Sequence, residues 1–224
     1  MAALTIKEST IKTIIFDFDG TLAKLNIDFN QMRDAVGKLI LSYGINGDEL
    51  HTGYVLEMID QATEILNQLS PPKADRFTHE ANTIVENIEI EAAKNGELFD
   101  RTRELLLFLK LQGLSCGIIT RNCAKAVRIV FPDILSYCPV VVCRDKVKNV
   151  KPHPDHLTAA LKELGSSAEN TLMIGDHPLD IKTGLNAGTK TCGVLTGHFQ
   201  KEDFIEAGAD LVLLHATDLL YMIE

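Results

Sequence analysis

The chain has 224 residues, 46% hydrophobic and 24% charged, enough apolar material for a folded core, which excludes disorder as its dominant state. Its 22 basic and 31 acidic residues leave a formal charge of −9, which argues against nucleic acid or an anionic membrane as a partner. No apolar run approaches the ~20 residues of a membrane span, and Met1–Thr10 carries no signal-peptide core. Five cysteines at irregular spacing form no CxxC pair, so reduced thiols in a cytoplasmic protein are expected.

The first predicted strand, Thr13–Phe18, ends in Asp17-Phe18-Asp19-Gly20-Thr21. A helix-only stretch follows. Phe29, Met32, Val36, Leu39, Ile40 and Tyr43 fall on one helical face. Val55, Met58, Ile59, Ala62, Ile65, Leu66 and Leu69 make a second, stopped by Ser70-Pro71-Pro72. Phe77, Ala81, Ile84, Ile88 and Ala92 make a third, ending at Asn95-Gly96. Ordinary strand-to-helix connections are far shorter than this. Residues 24–97 are therefore expected to form an inserted α-helical subdomain, joined by linkers near Lys24–Asn26 and Gly96–Phe99.

Beyond it, strands are predicted at Ser115–Thr120, Val140–Arg144, Thr171–Gly175, Thr191–Leu195 and Asp210–Leu214. Helices at Asp100–Lys110, His156–Leu164 and Leu179–Asn186 run between them, with Gly113, Gly165 and Gly188 just past their ends. Nearly unbroken apolar strands imply a parallel sheet covered on both faces. Residues 1–23 and 98–224 are thus expected to build one doubly wound, Rossmann-like α/β core.

Four polar groups stand at the carboxyl ends of these strands, where open α/β sheets bind ligands. Asp17 and Asp19 repel one another unless a cation or proton intervenes, and Gly20 lets the backbone approach an anion. Thr120, Arg121 and Asn122 can all donate to a phosphate oxygen, although the same triplet also reads as a helix N-cap. Lys151, stiffened by Pro152 and Pro154, can neutralise a phosphate or carboxylate, or can equally be a surface lysine. Asp176 and Asp180 share one face at i,i+4, a pair that suits a hard cation and also suits helix capping. His177 is expected to face solvent, and His153 with His156 has no third ligand nearby in sequence that would make a zinc site.

The order DxDGT, strand plus Thr, Lys-Pro and GDxxxD resembles the haloacid dehalogenase-like (HAD) hydrolase superfamily, most of all its phosphoglycolate phosphatase-type branch. Asn186-Ala187-Gly188 and Ala207-Gly208-Ala209-Asp210 extend the likeness over nearly the whole chain. The resemblance implies a HAD core with a helical cap of the C1 type at 24–97. It implies Asp17 as nucleophile, Asp19 as general acid and base, and Thr120 and Lys151 as further catalytic groups. Mg²⁺ is the implied cofactor, with Asp17, Asp19, Asp176 and Asp180 as its ligands. Gly20, Thr21, Thr120, Arg121, Asn122 and Lys151 are the implied substrate-binding residues. The implied reaction is hydrolysis of a small phosphorylated metabolite, such as a phosphoglycolate-like or sugar phosphate, through an aspartyl-phosphate. An acid at Asp19 favours phosphate esters over halides, whose departure needs no proton. Asn149-Val150 before Lys151 and Arg121 after Thr120 depart from the family's commoner residues. A phosphomutase of the β-phosphoglucomutase type is the alternative within the enzymes. A non-catalytic phospho-acceptor or binding protein is the alternative outside them.

Overall fold

The computed structural model describes residues 4–47 and 50–223. Residues 1–3 and 224 of the expected core, and 48 and 49 of the expected insertion, lie outside them. The chain divides into two compact units, one of Met1–Leu25 with Gly96–Glu224 and the other of Asn26–Asn95.

The first unit opens with an antiparallel hairpin of β1 (Leu4–Ile6) and β2 (Ser9–Ile11) that was not foreseen. Lys7 and Glu8 take positive φ at its turn, so neither glycine nor asparagine marks it in the sequence. Next come β3 (Thr13–Phe16) and the short β4 (Ala23–Lys24), where the chain leaves the unit.

The second unit is three helices, α1 (Phe29–Ser42), α2 (Val55–Leu69) and α3 (Pro71–Ala93). Asp28 caps α1 by accepting from Gln31 N–H at 2.9 Å. Extended Ser70 ends α2 and starts α3, with the prolines in the first turn where no N–H partner is required. Met32, Val36 and Ile40 meet Met58, Ile59 and Leu66, and Phe77, Ala81 and Val85, in one apolar core. Phe29 and Leu69, placed on the same faces by periodicity, sit at helix ends and stay exposed.

The chain re-enters the first unit through β5 (Glu97–Leu98), which pairs antiparallel with β4. Then follow α4 (Thr102–Leu111), β6 (Ser115–Thr120), α5 (Ala124–Val130), α6 (Ile134–Tyr137) and β7 (Val140–Cys143). The remainder is α7 (Pro154–Leu164), β8 (Thr171–Gly175), α8 (Pro178–Ala187), β9 (Lys190–Val194), α9 (Lys201–Glu206) and β10 (Leu211–Leu213). Helices α5, α6 and α9 were not foreseen, being too short to show an apolar period.

Six strands form one parallel sheet in the order β10-β9-β8-β3-β6-β7, so β3 lies in its middle. Every residue of β3, β7 and β8 is buried, as strands covered on both faces require. Ile15, Ile119, Val142 and Met173 turn one face toward Leu157, Ala160 and Leu161 of α7. This is a Rossmann-like α/β architecture, as expected. All five cysteines are buried free thiols. Among the described residues, no helix is long and apolar enough to cross a membrane.

Candidate active site

The sheet order decides which strand ends meet. Phe16 lies opposite Ile118 of β6 and Ile174 of β8, so Asp17, Thr120 and Asp176 leave neighbouring strands at similar heights. Asp17 N–H still donates to Ile174 O at 2.8 Å, which fixes the first aspartate at the sheet edge. The chain then turns sharply, with Thr21, Leu22 and Ala23 N–H all directed at Phe18 O. Gly20 makes the turn possible with φ +84°, and a Cβ there would lie 2.1 Å from Asp176 Oδ2. Asp19 Oδ1 accepts from Leu25 N–H at 2.8 Å.

Lys151 precedes α7 and is buried, with its ammonium between two carboxylates. Its Nζ lies 2.5 Å from Asp17 Oδ1 and 2.7 Å from Asp180 Oδ1. Asp180 is placed by α8, where His177 N–H donates to its second oxygen at 3.1 Å in a capping box. Gly175 makes room for it, since a Cβ there would stand 2.1 Å from the Asp180 carboxylate. Asp176 is wedged between Gly20 and Gly197, whose Cβ would come within 2.2 Å of Oδ2. Thr21 Oγ1 faces Asp176 Oδ1 at 3.4 Å.

Asp17, Asp176 and Asp180 each bring a carboxylate oxygen within 4.8 Å of the others. Three carboxylates and one ammonium leave two negative charges unbalanced, which is the charge of one divalent cation. The imbalance appears in the proton affinities. Burial pushes the Asp17 carboxyl up to about 7, with Lys151 pulling it down and Asp180 adding to the rise. Burial, then Asp17 and Asp180, pushes Asp176 up to about 8. An all-oxygen cluster of this charge fits a hard cation such as Mg²⁺.

The sequence-nominated groups fall into two sets. Asp17, Asp176, Asp180 and Lys151 are in direct contact or mutual reach, with Gly20 and Thr21 against Asp176. Thr120 and Asn122 are buried, and their contacts are mutual. Thr120 Oγ1 donates to Asn122 Oδ1 at 2.7 Å and accepts from Asn122 N–H at 3.2 Å. Arg121 Nη1 donates to Lys151 O at 3.0 Å. The Asp19 carboxylate stands outside the three-carboxylate group. His177 faces solvent only in part. It is half-buried, accepts from Leu179 N–H through Nδ1 at 3.0 Å, and packs edge-on against Phe199. The loop Thr196–Gly197 was missed, since only the fold brings Thr196 Oγ1 to Gly20 O. His156, whose spacing from His153 suggests only a metal ligand, touches Lys151 instead.

Residues 14–194 match the haloacid dehalogenase-like hydrolase family. The chain is 32% identical to pyrophosphatase PpaX of Bacillus cereus over 221 residues, which is 94% of this chain and 95% of that protein. It is 30% identical to N-acetylmuramic acid 6-phosphate phosphatase of Pseudomonas putida over 222 residues, 96% of each. The solved structure of a haloacid dehalogenase-like hydrolase from Bacteroides fragilis superposes with a TM-score of 0.66 at 25% identity, covering 93% of this chain and 99% of that one.

Proposed function

The chain belongs to the haloacid dehalogenase-like hydrolase family as one of its phosphatases, and we propose that it is a Mg²⁺-dependent hydrolase of small phosphate monoesters. The observation that carries this reading is the pairing of Lys151 with Asp17 and Asp180 beside Asp176.

In this reading Asp17 attacks phosphorus and becomes an aspartyl-phosphate, while Asp19 gives a proton to the departing oxygen. Asp19 then takes a proton from the water that hydrolyses the intermediate. Lys151 favours the ionised form of Asp17 against the effect of burial and, with Thr120, donates to oxygens of the phosphoryl group in flight. The Thr120 hydroxyl, now turned to Asn122, must rotate to do so. Asp17, the Asp19 carbonyl and Asp176 would hold the cation, with Asp180 as a direct or water-bridged contact. Bound there, Mg²⁺ would offset the repulsion between an anionic nucleophile and an anionic ester. Gly20, Thr21, Arg121 and Asn122 complete the phosphate-binding set. Residues 24–97 serve as the cap that screens substrates and excludes water, with Lys24–Asn26 and Gly96–Phe99 as its double linker.

Both curated relatives described above act on phosphate compounds of different kinds, so the discriminating experiment is a panel. 2-Phosphoglycolate, sugar phosphates including N-acetylmuramic acid 6-phosphate, nucleotides and pyrophosphate are incubated with and without Mg²⁺, and phosphate release is measured. A small monoester should turn over only with the metal. Isomer without free phosphate would instead establish a mutase, and no turnover of any compound would sink the reading. Asp17→Asn should abolish release while the circular dichroism spectrum stays native, and retained turnover would remove Asp17 from its role.

A further inference from the structure

Lysine is a long, flexible side chain, so a buried ammonium is only as well placed as the backbone that carries it. Lys151 sits in the irregular segment before α7, outside any strand or helix, yet its Nζ must meet two carboxylates at 2.5 and 2.7 Å. Side chains hold both of its main-chain polar groups. Arg121 Nη1 donates to Lys151 O at 3.0 Å. Lys151 N–H donates to Nδ1 of His156 at 3.2 Å.

His156 lies in the first turn of α7 and has no exposed surface. Its Nε2 is 2.9 Å from Val142 O on β7. The two partners dictate the ring's state. A main-chain N–H can only donate, so Nδ1 must be bare, and a carbonyl can only accept, so Nε2 must carry the proton. The neutral Nε2–H tautomer is therefore the one that bridges the sheet to Lys151. Burial acts in the same sense, holding the ring's proton affinity down at about 4. Burying an imidazole only to fill space would leave two polar atoms needing partners where leucine needs none. Here both partners are main-chain groups, and one belongs to the residue that balances the site.

We propose that His156 is a positioning residue, tying the Lys151 backbone to β7 so that the ammonium bridges Asp17 and Asp180. This rests on the reading of Lys151 as part of the phosphoryl site. It makes a histidine outside the four motif groups part of the machinery, acting through another residue. Placement errors near 1 Å cost on the order of 10²-fold in rate, so loss of the tether should be visible in turnover.

The wild-type protein provides the first test. Imidazole ¹⁵N shifts at pH 7 should show His156 neutral, with the proton on Nε2. A charged ring or an Nδ1–H tautomer would overturn the tether whether or not any variant folds. Two substitutions then divide the ring's functions. His156→Gln can keep the donor to Val142 O and leaves Lys151 N–H without its acceptor. His156→Asn keeps an acceptor near the Nδ1 position and gives up the Val142 bond. With p-nitrophenyl phosphate and Mg²⁺, Gln should lower kcat about 10- to 100-fold with KM within about threefold, and Asn should recover most of that loss. Their melting temperatures should be close to one another. Equal kcat for the two variants, or losses that follow melting temperature, would reduce His156 to a core residue. Lys151→Met is measured beside them. If it turns over like the wild type, the site reading itself fails; if it is impaired and Gln is not, only the tether fails.

Discussion

A buried ion pair of the α/β unit contrasts with exposed pairs of the helical unit. In the helical unit, Arg76 pairs with Glu80 at i,i+4 and Lys94 with Glu91 at i,i+3, both local and largely open to solvent, as Arg101 with Glu104 is in the α/β unit. In the α/β unit, the Lys151–Asp17 pair joins residues 134 positions apart and is almost wholly buried. The contrast is one of alternatives. An exposed pair that breaks is replaced by water on both sides, whereas a buried one leaves a charge with no partner. An exposed pair such as Arg76–Glu80 can therefore lose a charge quietly, and the Lys151 cluster cannot.

The largest test of that contrast is Lys151→Met. It leaves Asp17, Asp176 and Asp180 crowded without their ammonium. Breaking one side of a buried pair costs about 3–5 kcal/mol. Loss of a donor to the transferring group costs on the order of 10²–10³-fold in kcat. Turnover and chemical denaturation measured together should show both losses. A variant as stable as the wild type would mean that solvent reaches the cluster.

Two glycines sharpen the comparison at smaller amplitude. Gly20→Ala drives a methyl into the Asp176 carboxylate and strains a residue at φ +84°, at a cost of about 1–3 kcal/mol with turnover falling alongside. Gly37→Ala lies inside α1 with nothing within 4 Å of the new methyl. There the same substitution should stabilise by about 0.5–1 kcal/mol, because alanine loses less backbone entropy in a helix. Denaturant midpoints of opposite sign are expected, and a stabilised Gly20→Ala would contradict the wedged position of Asp176.

Smaller again is a pH effect confined to the α/β unit. With folded affinities at about 7 for Asp17 and about 8 for Asp176, against the ordinary 3.8, the metal-free folded state retains protons the unfolded chain has released. Stability therefore falls as pH rises toward 8. His156, held down at about 4, works in the opposite direction, but only below about 6.5. Between pH 6.5 and 8 the aspartates dominate, and the buried cysteine thiols, raised by burial, act in the same sense toward pH 8. The melting temperature in EDTA should fall across that window, and Mg²⁺ should flatten it by holding both carboxylates ionised. A slope that Mg²⁺ leaves unchanged would argue against the cation site.

Much of this was legible in the sequence because each signal was local. Apolar runs ending in Asp17, Thr120 and Asp176 marked the strands and their functional ends together, and the three helical faces showed clear periods. What was not legible depends on distant chain. Nothing in the residues around Gly197 points to Asp176, and nothing around His156 says that its ring meets the Lys151 backbone. His177 read as exposed because a polar residue beside a motif usually is, yet capping and an edge-on contact with Phe199 leave its ring half-buried. The same limit applied to the hairpin turn at Lys7-Glu8, whose positive φ is imposed by pairing of β1 with β2.

The smallest effect belongs to a charge pair of the helical unit, Arg76 with Glu80. Glu80 accepts from Arg76 Nε at 2.8 Å and from Tyr43 OH at 3.1 Å, and the hydrogen bond from Arg76 holds its carboxyl below the usual range. By geometry alone this cluster resembles the buried one, with a cation and a neutral donor on one carboxylate. Its setting differs, since the Arg76 side chain is 77% exposed and water takes up either partner at once. Arg76→Met should therefore leave melting temperature and turnover within experimental error, and raising salt to screen the pair should change the wild type as little. A clear loss in either measurement would mean that local, exposed pairs contribute to this unit's stability after all, and burial would no longer separate the pairs that matter from those that do not.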